Sequence, residues 1–129
     1  MKLLLDTHIW LWSLQDARRL GRRTQQELSD KQNELWLSPI STWEALTLNA
    51  KGKIRLPDDL EAWVTQATAP FKEAPLTHEI ARVARELNLA QQDPADRFLA
   101  ATAGVLGLTL VTADRSLLGL GDISTLANR

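Results

Sequence analysis

The sequence predicts an α/β fold, with a parallel sheet covered by helices on both faces. Residues 3–5 form an apolar run without alternation, which is typical of a strand buried on both faces of a parallel sheet. Segments with helical spacing of apolar residues separate this run from later strand-like runs. Strands that alternate with helices favour parallel pairing and right-handed crossovers. The length of 129 residues favours a single domain over residues 1–129.

The order of the elements follows from these runs and from turn and cap signals between them. The predicted strands lie at residues 3–5, 34–37, 72–76, 108–112 and 123–126. The predicted helices lie at residues 8–14, 24–32, 40–51, 60–67, 78–87, 94–103 and 115–118. Helix 8–14 is apolar around most of its circumference, so it is either a core helix or a protein interface. Ser38 or Ser41 is expected to cap helix 40–51, and Gly52 to end it.

Composition excludes several classes of function. The chain has no cysteine, so it has neither a disulfide framework nor thiol chemistry. Its formal net charge is −1, so any nucleic acid has to be met by local basic patches. No apolar run approaches the about 20 residues of a membrane span, and the first residues do not resemble a signal peptide. We therefore expect a cytoplasmic protein without a membrane partner.

Four acidic residues from distant parts of the chain are predicted to converge. Asp6 and Asp114 directly follow predicted strands, and functional groups in open α/β sheets gather at the carboxyl ends of strands. Glu44 and Asp96 lie in the first turn or two of helices, where the preceding loops re-enter the same rim of the sheet. We expect these four carboxylates to form the catalytic and metal-binding set.

Crowded carboxylates oppose one another's ionisation, and a hard divalent cation removes that conflict. Mg²⁺ takes oxygen ligands, and Mn²⁺ accepts the same ones. One such ion activates water, and a second also stabilises the leaving oxygen of a phosphodiester; the sequence leaves one or two ions open. Thr7 and Thr112 are expected to orient ligands or waters. Asp93 is expected to cap the helix that Pro94 begins, and its role as a ligand stays open.

Four motifs follow one another along the chain: Leu4-Leu5-Asp6-Thr7-His8, Ser41-Thr42-Trp43-Glu44, Asp93-Pro94-Ala95-Asp96-Arg97 and Leu110-Val111-Thr112-Ala113-Asp114. Each motif alone has little specificity. In this order and at these spacings they resemble the motifs of PIN domains, above all those of VapC-type toxins from bacterial and archaeal toxin–antitoxin pairs. The resemblance covers residues 3–114.

The resemblance implies a three-layer α/β/α fold whose central parallel sheet has about five strands. It also implies a Mg²⁺- or Mn²⁺-dependent ribonuclease that forms a homodimer and is inhibited by a VapB-like antitoxin. RNA would be the substrate, with tRNA and mRNA both open as targets. By motif position, Asp6, Glu44 and Asp96 would be the core acids and Asp114 the fourth. The family's acid precedes the arginine, which selects Asp96 and leaves Asp93 as a cap or helper.

Several basic residues are candidates for contact with the RNA backbone, because phosphate contacts position a nucleic acid while base contacts specify it. They are Arg97, Arg115, the cluster at residues 18–23 and the cluster at residues 51–55, which includes Lys51 and Lys53. The chain departs from the family at Ala95, where a bulky residue is common, and at Gln91 and Gln92, where His or Gly is common. We expect these departures to alter substrate fit.

Two alternatives from other classes remain. The first is a catalytically inactive PIN-like module that binds RNA or protein, which would keep the fold and bind metal poorly. The second is a phosphotransfer enzyme or receiver domain that accepts phosphate on Asp6. It is disfavoured because no second Asp stands two residues after Asp6 and no lysine occurs after Lys72.

Overall fold

A computed structural model describes residues 1–89 and 93–129. Within them, five strands form one parallel sheet in the order β3-β2-β1-β4-β5. The strands are β1 (Lys2–Leu5), β2 (Glu34–Leu37), β3 (Lys72–Glu73), β4 (Thr109–Thr112) and β5 (Ser124–Ala127). The helices are α1 (Thr7–Gln15), α2 (Arg22–Ser29), α3 (Pro39–Ala50), α4 (Leu60–Thr68), α5 (His78–Glu86), α6 (Pro94–Leu106) and α7 (Arg115–Leu118), and a 3₁₀ turn covers Ala17–Arg19. The predicted α/β fold with a parallel sheet is confirmed.

Both faces of β1 are covered, as its unbroken apolar run predicts. Leu3 and Leu5 pack in one core cluster with Ile9 and Trp10 of α1. Leu4 points to the opposite face, into a second cluster, because successive side chains of a strand alternate between the two faces. That second cluster includes Leu99, Ala100 and Ala103 of α6 and Leu117 of α7. The sheet is thus the middle of three layers.

The strand order reverses at the centre of the sheet. From β1 the chain moves first to β2 on one side, and it returns later to β4 on the other side. The pairing of Leu5 with Val111 aligns the carboxyl ends of β1 and β4. Asp6 continues that ladder, since its N–H donates to the Val111 carbonyl at 3.0 Å. Such a switch point opens a crevice at the carboxyl ends of the strands, where ligands bind in this class of sheet.

Helix α1 is buried along one side only. Ile9 and Trp10 are fully buried, and the Trp10 indole N–H donates to the Ala67 carbonyl at 3.1 Å, which ties α1 to α4. Leu14, in contrast, is 47% exposed. Of the two interpretations of this helix, the core helix therefore describes its first two turns, while its end faces solvent.

Some boundaries differ from the predicted ones, each for a local reason. β3 has two residues, because its partner β2 ends at Leu37 and the next residue, Ser38, already caps α3. α2 begins at Arg22, after Gly21 in an extended conformation. α6 runs through Gly104 and ends at Gly107, whose φ of 67° favours glycine. Within residues 1–89 and 93–129, no helix combines the length and apolar character needed to cross a bilayer.

Candidate active site

Asp6 is the most constrained acid at the carboxyl edge of the sheet. It ends β1, caps α1 and is only 6% exposed. Its Oδ1 accepts a hydrogen bond from the Thr7 N–H at 2.7 Å, and its Oδ2 accepts one from the Thr112 hydroxyl at 2.6 Å. One carboxylate oxygen is thus held by the residue that follows Asp6 and the other by the last residue of β4, so the orientation of the carboxylate is fixed.

The end of β4 supplies the next group. The Thr112 hydroxyl, besides donating to Asp6, accepts from the Asp114 N–H at 3.0 Å. Asp114 caps α7, where its Oδ1 accepts from the N–H and the hydroxyl of Ser116 at 2.9 and 2.7 Å. Thr112 therefore connects the loop that carries Asp114 to the carboxylate of Asp6.

The third helix contributes Glu44. Ser38 caps α3 by accepting from the Ile40 N–H at 3.1 Å, so of the two predicted caps it is Ser38 that acts. Ser41, in the first turn, accepts a hydrogen bond from the buried Thr7 hydroxyl at 2.9 Å. This bond fixes the start of α3 against the start of α1. Glu44 lies three residues after Ser41, on the same side of α3.

The start of α6 contributes two further acids. Asp93 caps this helix, and its Oδ1 accepts from the Ala95 N–H at 3.0 Å. Pro94 occupies the first helical position, as predicted. Asp96 lies in the first turn. Gln91 and Gln92, the departures noted just before this motif, fall outside the described residues.

One cavity of about 610 Å³ brings these groups together. Its lining includes five carboxylates from four separate segments of the chain: Asp6, Glu44, Asp93, Asp96 and Asp114. It also includes His8, Trp12, Arg19 and Ala113. A second, more apolar cavity of about 420 Å³ lies between α3 and α4, and Lys72 and Glu73 are the charged residues that line it in the described part of the chain. Of these two cavities, the first is therefore the strongly acidic one.

The acids in this cavity perturb one another. Burial raises the pKa of Asp6, and the hydrogen bonds from Thr112 and Thr7 offset part of that rise. Burial also raises the pKa of Glu44, with further rises from the charges of Asp93 and Asp6 and an opposing contribution from the nearby Thr7 side chain. The pKa of Asp96 rises to about 7, chiefly through burial and then through the charges of the other four acids, Asp6, Asp93, Asp114 and Glu44. All five carboxylates thus lie close enough to interact.

A basic and aromatic wall lines the same cavity as the acids. Its cation, Arg19, belongs to the basic cluster predicted at residues 18–23, whereas sequence reasoning missed its aromatic residues, His8 and Trp12. The Arg19 guanidinium carbon lies 4.6 Å from the centroid of the Trp12 ring, and the rings of Trp12 and His8 are 6.0 Å apart. His8 and Trp12 are four residues apart on α1, so they share one helix face, and that spacing was the available signal. Arg19 belongs to a short 3₁₀ turn, whose position no periodicity in the sequence indicates.

A sequence model of the PIN domain matches residues 3–122. The chain belongs to the PIN-domain family. A curated relative, Ribonuclease VapC22 from Mycobacterium tuberculosis, is 32% identical over 116 residues, which cover 89% of this chain and 88% of the relative. The order of the four motifs is therefore matched by similarity along nearly the whole chain.

Solved structures show the same fold at lower identity. A chain in the crystal structure of VapBC2 from Rickettsia felis, bound to a DNA fragment from its promoter, superposes with a TM-score of 0.73 at 16% identity. A chain of DNA-bound VapBC from Salmonella typhimurium gives 0.74 at 19% identity. Each match covers 98% of both chains. The three-layer PIN fold predicted from the motifs is thus confirmed.

The donor set of this PIN domain suits a hard divalent cation, because it consists of carboxylate oxygens whose mutual repulsion a cation relieves. The side chains are of the right chemical type, but their positions are not yet those of a metal site. Among residues 1–89 and 93–129, no three acidic or histidine side chains are placed so that they hold an ion as they stand. Several of the carboxylates instead accept hydrogen bonds at helix starts. Ion binding therefore requires side-chain movement around the cavity.

The predicted basic residues lie in different surroundings from one another. The Arg97 guanidinium donates to the carbonyls of Ala84, Leu87 and Leu89 at 3.1, 3.0 and 3.3 Å, so it closes the end of α5 instead of facing the acids. Arg115 is exposed beside Asp114. Lys51 and Lys53 are exposed past the far end of α3, with Lys51 about 10 Å beyond Glu44 along the helix axis.

Proposed function

We propose that this PIN domain is an endoribonuclease of the VapC type, which acts as the toxin of a toxin–antitoxin pair and cleaves RNA phosphodiester bonds with Mg²⁺ or Mn²⁺. One observation carries the proposal: five carboxylates from four segments line a single cavity at the switch point of the sheet. The 32% identity to a VapC ribonuclease over nearly the full length supports the same reaction.

In this proposal Asp6, Glu44, Asp96 and Asp114 hold the ion. A bound Mg²⁺ or Mn²⁺ supplies a water of lowered pKa and a positive charge for the leaving oxygen. Asp6 presents its carboxylate in one orientation, because Thr7 and Thr112 each hold one of its oxygens. Asp93 keeps the start of α6 in place as its cap, so that Asp96 in the following turn faces the other acids.

The partners in the proposal are an RNA, a VapB-like antitoxin and a second copy of the chain, in the cytoplasm. The antitoxin is supported by the solved structures with the same fold, which are VapBC assemblies. RNA is supported by the name of the curated relative, which is a ribonuclease. Arg115, Lys51 and Lys53 are exposed cations that remain proposed contacts for the RNA backbone.

The test compares RNA cleavage by the wild-type protein and by Asp6→Asn, each with Mg²⁺ and with EDTA. Asp59→Asn is a matched control, because Asp59 also caps a helix and accepts a backbone N–H at 3.1 Å, but it does not line the acidic cavity. Asparagine is a good cap, so neither variant should lose its helix start. We expect Asp6→Asn or EDTA to abolish cleavage and Asp59→Asn to retain it. Cleavage that persists in EDTA or in Asp6→Asn refutes the metal-dependent site.

One observation favours a second candidate, a catalytically inactive module that binds RNA or protein. No three described acidic or histidine side chains are already arranged to hold an ion. Calorimetry with Mn²⁺ separates the two functions. The nuclease should bind Mn²⁺ and lose that binding in Asp96→Asn, whereas an inactive module should bind Mn²⁺ poorly in both proteins.

A further inference from the structure

We infer that Arg19, stacked on Trp12, binds a phosphate of a single-stranded RNA at the edge of the acidic cavity. The inference rests on the proposed ribonuclease function and names a residue that holds the substrate. Arg19, Trp12 and His8 line the same cavity as the five carboxylates. Among the described residues, the other charged groups that line this cavity are acids. Arg19 is therefore the group that can attract a polyanion there.

The guanidinium of Arg19 is held without being neutralised. Its carbon lies 4.6 Å from the centroid of the Trp12 ring, a cation–π distance. The ion pairs found in the described part of the chain are Arg18–Asp16, Lys72–Glu34 and Arg82–Glu86, so Arg19 takes part in none of them. A guanidinium that stacks through its face keeps the N–H groups of its edge available to an anion.

The backbone beneath Arg19 is also fixed. The Arg19 carbonyl accepts from the Asn128 side-chain amide at 2.9 Å, and the Asn128 oxygen accepts from the Gly21 N–H at 2.8 Å. The Arg19 N–H donates to the Asp16 carbonyl at 3.0 Å, which closes the 3₁₀ turn. Arg19 is therefore presented from a braced turn, which reduces the ordering cost of binding a ligand.

Phosphate is the ligand that this group suits best. The planar fork of arginine matches two phosphate oxygens, and an arginine–phosphate contact is assisted by both charges. An RNA strand that enters a cavity lined by carboxylates is repelled by them, and a cation at the wall offsets that repulsion. The exposed His8 ring beside Trp12 adds a surface on which an unpaired base can stack, which favours single-stranded RNA.

The first experiment measures the binding of a fluorescein-labelled single-stranded RNA by anisotropy in EDTA, where the proposed function allows no cleavage. Arg19→Ala should bind about tenfold more weakly, and the salt dependence of its affinity should fall by about one phosphate contact. Arg18→Ala is the matched control, because Arg18 belongs to the predicted basic cluster but does not line the cavity. It removes the same charge from the neighbouring residue, whose side chain is 94% exposed and pairs with Asp16 away from the cavity. Its affinity should change less than about twofold.

Two further variants test the stacking. Arg19→Lys keeps the charge but lacks the planar fork, so it should retain the salt dependence and bind with intermediate affinity. Trp12→Leu removes the ring that holds the guanidinium, and it should reproduce part of the loss seen in Arg19→Ala. Thermal unfolding of each variant shows whether the fold is intact; because Arg18 and Arg19 are both exposed, their alanine variants should melt close to the wild type.

The second experiment measures RNA cleavage with Mg²⁺. Arg19→Ala should raise KM about tenfold with little change in kcat, as expected for a group that holds substrate before and during the reaction. If the wild type cleaves RNA but Arg19→Ala binds and cleaves like Arg18→Ala, the role of Arg19 is refuted while the nuclease stands. If Arg19→Ala weakens binding but the wild type never cleaves, the nuclease fails while the RNA contact stands. A wild-type protein that does not bind RNA overturns the inference.

Discussion

Thr112 donates its hydroxyl hydrogen to Oδ2 of Asp6 at 2.6 Å, across the junction of the two central strands. The same hydroxyl oxygen accepts the Asp114 N–H at 3.0 Å. Asp6 and Thr112 are both buried, and Thr112 is completely buried. The Thr112 hydroxyl therefore orients the side chain of Asp6 and the backbone of Asp114.

Replacing Thr112 by valine keeps the shape of the side chain and removes both hydrogen bonds. We expect RNA cleavage and Mn²⁺ affinity to fall by about tenfold or more, as is common when the partner of a metal ligand is lost. We also expect the free energy of unfolding to fall by about 1 to 3 kcal/mol, because buried polar groups lose their partner. Thr112→Ser keeps the hydroxyl and should retain most of the activity. Equal activity in the valine and serine variants contradicts this role.

The pKa of Asp96 determines the second prediction, which concerns stability in EDTA. In the folded chain this pKa is about 7, above its ordinary value of 3.8, so the folded state holds the proton more tightly between these two pH values. The stabilisation is complete below about pH 3.8 and is lost as the pH rises through 7. Asp96→Asn should therefore unfold at a higher temperature than the wild type at pH 8, with the gain shrinking towards pH 4.

The size of this gain is limited by solvent, because Asp96 is only partly buried. We expect about 1 to 2 kcal/mol at pH 8, less than the full shift in pKa would give. Added Mg²⁺ should reverse the order, since an ion that binds only the folded wild type stabilises it. Asp59→Asn serves as the control, because Asp59 lies outside the acidic cavity, and it should not melt above the wild type at pH 8. If Asp96→Asn is less stable than the wild type at pH 8 in EDTA, the other carboxylates do not destabilise ionised Asp96 as we expect.

The positions of Asp6, Asp93 and Asp114 were predictable because each lies where a strand ends or a helix begins. Asp6 follows a buried strand, and Asp93 precedes a proline at the start of a helix, so sequence rules position both. Parallel strands then bring their carboxyl ends to one edge of the sheet. The same local rules predicted a serine cap for α3 but left Ser38 and Ser41 open, and they ended the last long helix at residue 103, whereas α6 continues to Leu106.

Arg19 and Arg97 show where sequence rules stop. Both are arginines near predicted elements, and nothing local distinguishes them. Tertiary packing places Arg19 over Trp12 at the acidic cavity and turns Arg97 to the carbonyls at the end of α5. Long side chains reach partners that are remote in sequence, so their contacts depend on the packed structure.

Gly21 is required for space and not for its backbone conformation, which is the basis of the third prediction. Its φ is −65°, which any residue adopts, but a Cβ at this position would overlap the backbone carbonyl group of Arg129. Gly21→Ala should therefore displace the Asn128–Arg129 segment and lower the free energy of unfolding by about 1 to 3 kcal/mol. Gly121→Ala is the control, because nothing lies within 4 Å of its Cβ. Urea unfolding that gives both variants the same stability contradicts the close packing.

Arg97 provides the last prediction, which separates a structural role from contact with RNA. Its guanidinium donates to three carbonyls near the end of α5, and removing it leaves these partly buried oxygens without their charged donor. Arg97→Ala should lower the free energy of unfolding by about 1 to 3 kcal/mol. Its RNA affinity in EDTA should keep the wild-type salt dependence at a temperature where the variant is folded. If instead the salt dependence falls by about one phosphate contact while stability is unchanged, Arg97 binds RNA as its motif position first indicated.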